Sequence, residues 1–209
     1  MSFDPSLLRS EDCALVLVDL QAGLAFGVGS EDRQILLNNA VALARTAQVF
    51  NIPVVASTSA SKVYSGPMMP AIQAALPAVV PIERRNMNVW EDEAVRAAIE
   101  KTGRKKLLIS GLLTEACVTF GALSSLEAGF EVLVVADACG GLTRTSHALA
   151  LRRLEARGAT MTSWIQVLLE LQRDWTRKET YAGARAIVES YAGGYGIGLA
   201  YARDMIHPS

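Results

Sequence analysis

Residues 111–123, GLLTEACVTFGAL, hold the side chain with the clearest chemical potential in the sequence. The apolar run before them, 106–110, reads as a buried strand, and the stretch after them opens with helical spacing. Thr114 has the chemistry of an N-cap, since its hydroxyl can accept from a backbone N–H two or three residues on. Cys117 then falls in the first helical turn, where free N–H groups and the helix dipole favour a thiolate. A strand–turn–helix with cysteine at that point is one recipe for an activated nucleophile. The competing expectation for a lone cysteine is an inert core residue, because free cysteine is among the most buried residue types.

A nucleophile needs a group that takes its proton, and the elements that position Cys117 supply a candidate. Short apolar strands are expected at 14–19, 53–58, 78–82, 106–110, 132–136 and 159–162. Helical patterns fall between and after them, at 34–50, 67–76, 91–101, 146–157 and 164–173. This alternation predicts βαβ units and an α/β fold. Its three layers enclose a six-stranded, mainly parallel, Rossmann-like sheet of order 3-2-1-4-5-6. In that order strands 1 and 4 are neighbours where the winding reverses, and ligands bind beyond the carboxyl ends of the strands at that point. Asp19 closes strand 1 and Cys117 follows strand 4. An acid and a thiol far apart in sequence are therefore expected to share one crevice.

Composition narrows the alternatives. The chain has 209 residues, 51% hydrophobic and 20% charged, with a formal net charge of −1. These values suit one globular domain with a sizeable core. They carry no nucleic-acid footprint. No apolar segment reaches the ~18 residues of a membrane span, and no signal-peptide pattern opens the chain. Three cysteines, Cys13, Cys117 and Cys139, are too few and too scattered for a disulfide framework. A reduced, cytoplasmic setting is the default expectation. The main domain is expected over 1–175. Residues 176–209 form a Gly-rich and aromatic extension carrying Tyr181, Tyr191, Tyr195 and Tyr201. With no strand to join, it is expected to pack on the core or on a neighbouring subunit.

Cofactor and metal chemistry find little support. The loop after strand 1, LQAGLAFGVG, does not fit G-x-G-x-x-G, and no Walker loop is present. The two histidines, His147 and His207, have no ligand spacing, and the cysteines lack a partner at short range. No cofactor and no metal are expected. His147 lies in a charged helical stretch and reads as a surface or capping residue, with a Cys–His pair left open.

With these residues in place, the chain resembles the isochorismatase-like cysteine hydrolases. LVLVDLQAG is similar to that family's first strand with its catalytic acid, GLLTEACV to its nucleophile turn, and VVADACGG to the segment after the fifth strand. NVWEDEAV, SGLLTEACV and LELQRDW bring it nearest to the YcaC-type branch. The resemblance implies a Cys117 nucleophile with Asp19 as proton acceptor and donor. The family's third catalytic residue is usually a lysine on the loop after strand 3. Here that loop reads PIERRNMN, and the branch implies arginine, with Arg84 first and Arg85 as the fallback. Arginine stays protonated, so it can hold an anion but cannot donate a proton at neutral pH.

The resemblance further implies a cis Leu112–Leu113 peptide, an oxyanion hole from the N–H groups of Leu113 and Cys117, and a homo-octamer. Gln21, Asn88, Trp90 and Thr114 are expected to line a pocket for a small-molecule substrate, with Trp90 equally suited to the core. The region after strand 2, STSASKVYSGP, lacks the histidine of metal-dependent nicotinamidases in the family. The expected activity is thus hydrolysis of a small C–N or related bond through Asp19, Arg84 and Cys117. The alternatives are a binding or assembly protein that keeps the fold, and a thiol redox sensor using Cys139.

Overall fold

Strand β1, Cys13–Val18, is buried along its whole length, as a central parallel strand covered on both faces must be. In the computed structural model, which describes residues 6–206, β1 pairs with β2, Val54–Ser59, on one side. On the other it pairs with β4, Lys106–Gly111. Outward lie β3, Ile82–Arg84, and then β5, Glu131–Val135, and β6, Thr160–Thr162. All pairings are parallel and the order is β3-β2-β1-β4-β5-β6. The register sets Val18 beside Gly111, so β1 and β4 end together where the winding reverses.

Alternate side chains of β1 serve two cores. Cys13, Leu15 and Leu17 pack with α2, Arg33–Val49, α7, Trp164–Gln172, and α8, Lys178–Tyr191. Ala14, Val16 and Val18 pack with α4, Glu93–Lys101, α5, Thr119–Glu127, and α6, Arg144–Glu155. The short helices α1, Ala22–Ala25, and α3, Pro70–Ala75, lie in the connections that follow β1 and β2. Helix starts follow local chemistry. Asp32 and Asp92 cap α2 and α4 through their carboxylates, and Thr143 and Ser146 form a capping box on α6.

The third strand lies later than its expected position at 78–82. Pro81 has no N–H to give a ladder and Val80 is 82% exposed, so pairing begins at Ile82. Arg84 is therefore the last residue of a strand rather than part of the following loop. The extension after α7 starts by covering the core. Helix α8 buries Ala184, Ile187 and Val188, and Gly183 lets it approach Val49 of α2. Helix α9, Gly193–Tyr201, buries only Gly196. His207 lies outside the described residues. No helix among the described residues is long and apolar enough to cross a membrane.

Candidate active site

At the end of β1 the chain turns sharply through Asp19, whose φ is +53°. Asparagine and aspartate visit this left-handed region more readily than other non-glycine residues. The Asp19 N–H donates to Ser57 O at 3.0 Å, which anchors the turn to β2. The side chain is fully buried and ion-paired with the buried guanidinium of Arg84 at the tip of β3. Arg84 is held in turn by the Asn86 carbonyl and, at 3.4 Å, by Ser57 Oγ. Arg85 is exposed, so of the two arginines Arg84 is the one paired with Asp19.

Beyond β4 the Leu112 N–H donates to Val18 O at 2.9 Å, and the Leu112–Leu113 peptide is cis. Residues Thr114–Val118 then form one turn of π-helix, in which the Val118 N–H reaches back to Leu113 O at 3.3 Å. Single π turns concentrate at functional sites. Thr114 is not the N-cap. Leu113 holds that position without a side-chain cap, and the Thr114 hydroxyl bonds His147 Nδ1 at 2.8 Å instead.

The thiol of Cys117 is half-buried. Asp19 Oδ1 is buried without a hydrogen-bond donor in good geometry, yet Asp19 and Cys117 are close enough that each shifts the other's pKa. Burial pushes the Cys117 thiol above its ordinary range, the Asp19 carboxylate adds to that push, and Arg84 offsets it only in part. Desolvation and the Asp19 carboxylate together outweigh Arg84, so the thiolate expected of this turn is disfavoured. Burial likewise raises the Asp19 carboxyl, against the pull of Arg84 and of the Cys117 thiol. Cys13 and Cys139 are buried, and burial pushes each to about 12.

The other expected pocket residues spend their polar atoms on the protein. Gln21 is buried, with its amide N–H groups on Ser59 O at 3.1 Å and on Gly66 O, while its oxygen takes the Ser59 N–H at 3.0 Å. It closes the loop after β2 like a staple. Asn88 accepts the Trp90 N–H and donates to Ser124 Oγ at 2.9 Å and Glu91 at 3.2 Å. Trp90 packs edge-on against Phe130, with ring centroids 5.3 Å apart, and Phe130 immediately precedes β5. Thr114 is buried against His147. Glu115 joins the turn of Cys117 to the β5–α6 loop and Thr114 joins it to His147 in the first turn of α6, and no local sequence signal marks these contacts. Among the described residues no group of His, Cys, Asp and Glu is placed to hold a metal ion.

The sheet order, with an acid closing β1 and a cysteine turn after β4, brings Asp19 and Cys117 into one crevice of an α/β fold. The isochorismatase domain family matches residues 13–166, and the chain belongs to it. It is 40% identical over 169 residues to the probable hydrolase YcaC of Escherichia coli K12, covering 80% of this chain and 81% of that one. Two solved structures superpose with a TM-score of 0.91 over 98% of this chain and 100% of theirs. One is YcaC from Pseudomonas aeruginosa, described with hexane-2,5-diol and covalent acrylamide, at 36% identity. The other is the Escherichia coli YcaC gene product, described as an octameric hydrolase of unknown specificity, at 35% identity.

Proposed function

We propose that this member of the isochorismatase hydrolase family cleaves a small amide or related C–N bond, without a metal, through Cys117, Asp19 and Arg84. The observation that carries this is a half-buried thiol beside a fully buried Asp19–Arg84 pair. Such a thiol becomes a nucleophile when a neighbouring base takes its proton during attack. Cys117 sulfur adds to the carbonyl carbon while its proton passes to the Asp19 carboxylate. The oxyanion that forms accepts from the N–H groups of Leu113 and Cys117, an arrangement in which one donor is typically worth ~3 kcal/mol. Asp19 then protonates the departing nitrogen and the C–N bond breaks, leaving a thioester. Water adds to the thioester carbon, giving a proton to Asp19. The acid product leaves, and the sulfur recovers that proton.

Arg84 takes no part in the proton traffic, since guanidinium does not deprotonate in this range. Its role is to keep Asp19 oriented and ionised in a buried site. The relative that carries covalent acrylamide supports a reactive nucleophile in this branch, because acrylamide takes nucleophiles at its conjugated alkene carbon. We further read the chain as a homo-oligomer, an octamer as its Escherichia coli relative is described. A reducing, cytoplasmic setting suits its three unpaired cysteines. The test is turnover of a panel of small amides, ureido acids and nitriles by wild type and Cys117→Ala. Turnover lost only in the variant supports the hydrolase. No turnover, with ligands binding both proteins equally, supports a binding protein on the same fold.

A further inference from the structure

Glu115 sits on the same π turn as Cys117, two residues before it. At that spacing side chains leave a helix on different sides, and Glu115 faces the loop between β5 and α6. Its Oε1 accepts the Leu142 N–H at 2.8 Å and the Ser146 hydroxyl at 2.9 Å. Around this centre the Thr114 N–H donates to Gly140 O at 2.9 Å, and the Gly140 N–H to Gly111 O at 3.2 Å. Gly141 is the residue that makes room. A Cβ there would lie 2.5 Å from Glu115 Oε2. The same loop is fastened to the segment that follows Asp19 and α1. Gly141 O accepts the N–H groups of Gly29 and Ser30 at 3.1 and 3.2 Å, and the Gly141 N–H donates to Ser30 Oγ at 2.9 Å.

The β5–α6 loop thus bridges the connection that carries Asp19 and the turn that carries Cys117. We propose that Glu115 is a positioning residue, whose carboxylate locks the Cys117 turn to this bridge and so sets the thiol against Asp19. The proposal rests on Cys117 being the nucleophile. One carboxylate oxygen taking two donors is the economical link here, because Ala at this position leaves the Leu142 N–H without its acceptor and the Ser146 hydroxyl with only Thr143 O, 3.1 Å away. Gln keeps that oxygen. The groups that face Cys117 are Asp19, from the end of β1, and Arg84, from β3. A turn released from the bridge moves the thiol away from the first of these and toward water.

The experiment follows iodoacetamide alkylation of Cys117 against pH, resolved from Cys13 and Cys139 by peptide mass spectrometry. In Glu115→Ala the alkylation midpoint falls toward the ordinary thiol value by about one pH unit, while Glu115→Gln keeps the wild-type midpoint. Should Glu115→Ala fail to fold, Ser146→Ala, which removes one of the two donors, shows a smaller fall in the same direction. Wild-type midpoints in Glu115→Ala and Ser146→Ala, with only their melting temperatures lowered, would overturn the positioning role and leave the hydrolase standing. Wild-type Cys117 no more reactive than Cys13 and Cys139 would overturn both.

Discussion

At the scale of single residues the site is governed by desolvation. Asp19 and Arg84 are both buried, and an ion pair in that position is costly to break because either charge alone would be stranded. The pair suits a base that must remain ionised out of water. Its pH dependence follows from the direction of the shift. Burial raises the Asp19 carboxyl above its ordinary 3.8, so the base is protonated, and activity lost, at a pH higher than an exposed aspartate would allow. Cys117 is raised too, so no gain from a free thiolate appears below the ordinary thiol range. We expect kcat/KM to show an acid limb above pH 3.8. Asp19→Asn keeps a residue that tolerates the left-handed turn while removing the base. It should lower the rate by roughly 10²–10⁴-fold and abolish the acid limb. A limb that persists in Asp19→Asn would assign it to another group.

At the scale of elements the site depends on how closely β1 and β4 can end together. Gly111 is the contact point, since a Cβ there would meet Val18 O at 2.0 Å. Backbone atoms at that distance have no rotamer escape. Gly111→Ala should therefore cost about 3 kcal/mol or more in denaturant unfolding and displace the Cys117 turn. Unfolding within 1 kcal/mol of wild type would mean that β4 slides past β1 more easily than the packing suggests. The strand order and the meeting of Asp19 with Cys117 were legible in the sequence, because buried parallel strands and a winding reversal leave few arrangements. The start of β3 was hidden by Ala78–Val80, an apolar run that imitates a strand until Pro81 interrupts it. The roles of Gln21, Asn88 and Thr114 were not legible either. Each satisfies backbone or side-chain partners brought in from other loops, and a single sequence does not display those partners. The π turn left no trace for the same reason, since Thr114–Val118 reads as an ordinary helix start.

At the scale of the molecule the unsettled surface is the C-terminal helix pair. Helix α8 is anchored, with Asn38 Nδ2 on Tyr191 O at 3.1 Å and Arg45 stacked 5.7 Å from the Tyr191 ring. Helix α9 and the residues after it instead present Tyr195, Ile197, Tyr201, Met205 and Ile206 to solvent, with Ile197 72% and Met205 69% exposed. Apolar side chains left exposed together along one helix and its continuation are a feature of surfaces where subunits meet. The Glu189–Arg203 ion pair braces this segment against α8, so it is presented as a shaped ridge. We expect light scattering at micromolar concentration to give a mass near eight times the 22.4 kDa of one chain. Replacing Ile197 by Glu places a charge in the centre of the ridge, where an interface would have to desolvate it. The variant should dissociate into smaller species while keeping the wild-type far-UV circular dichroism, because Ile197 contributes little to the core of its own chain. An octamer that survives Ile197→Glu would move the subunit contact elsewhere, and a wild-type mass of one chain would refute the assembly.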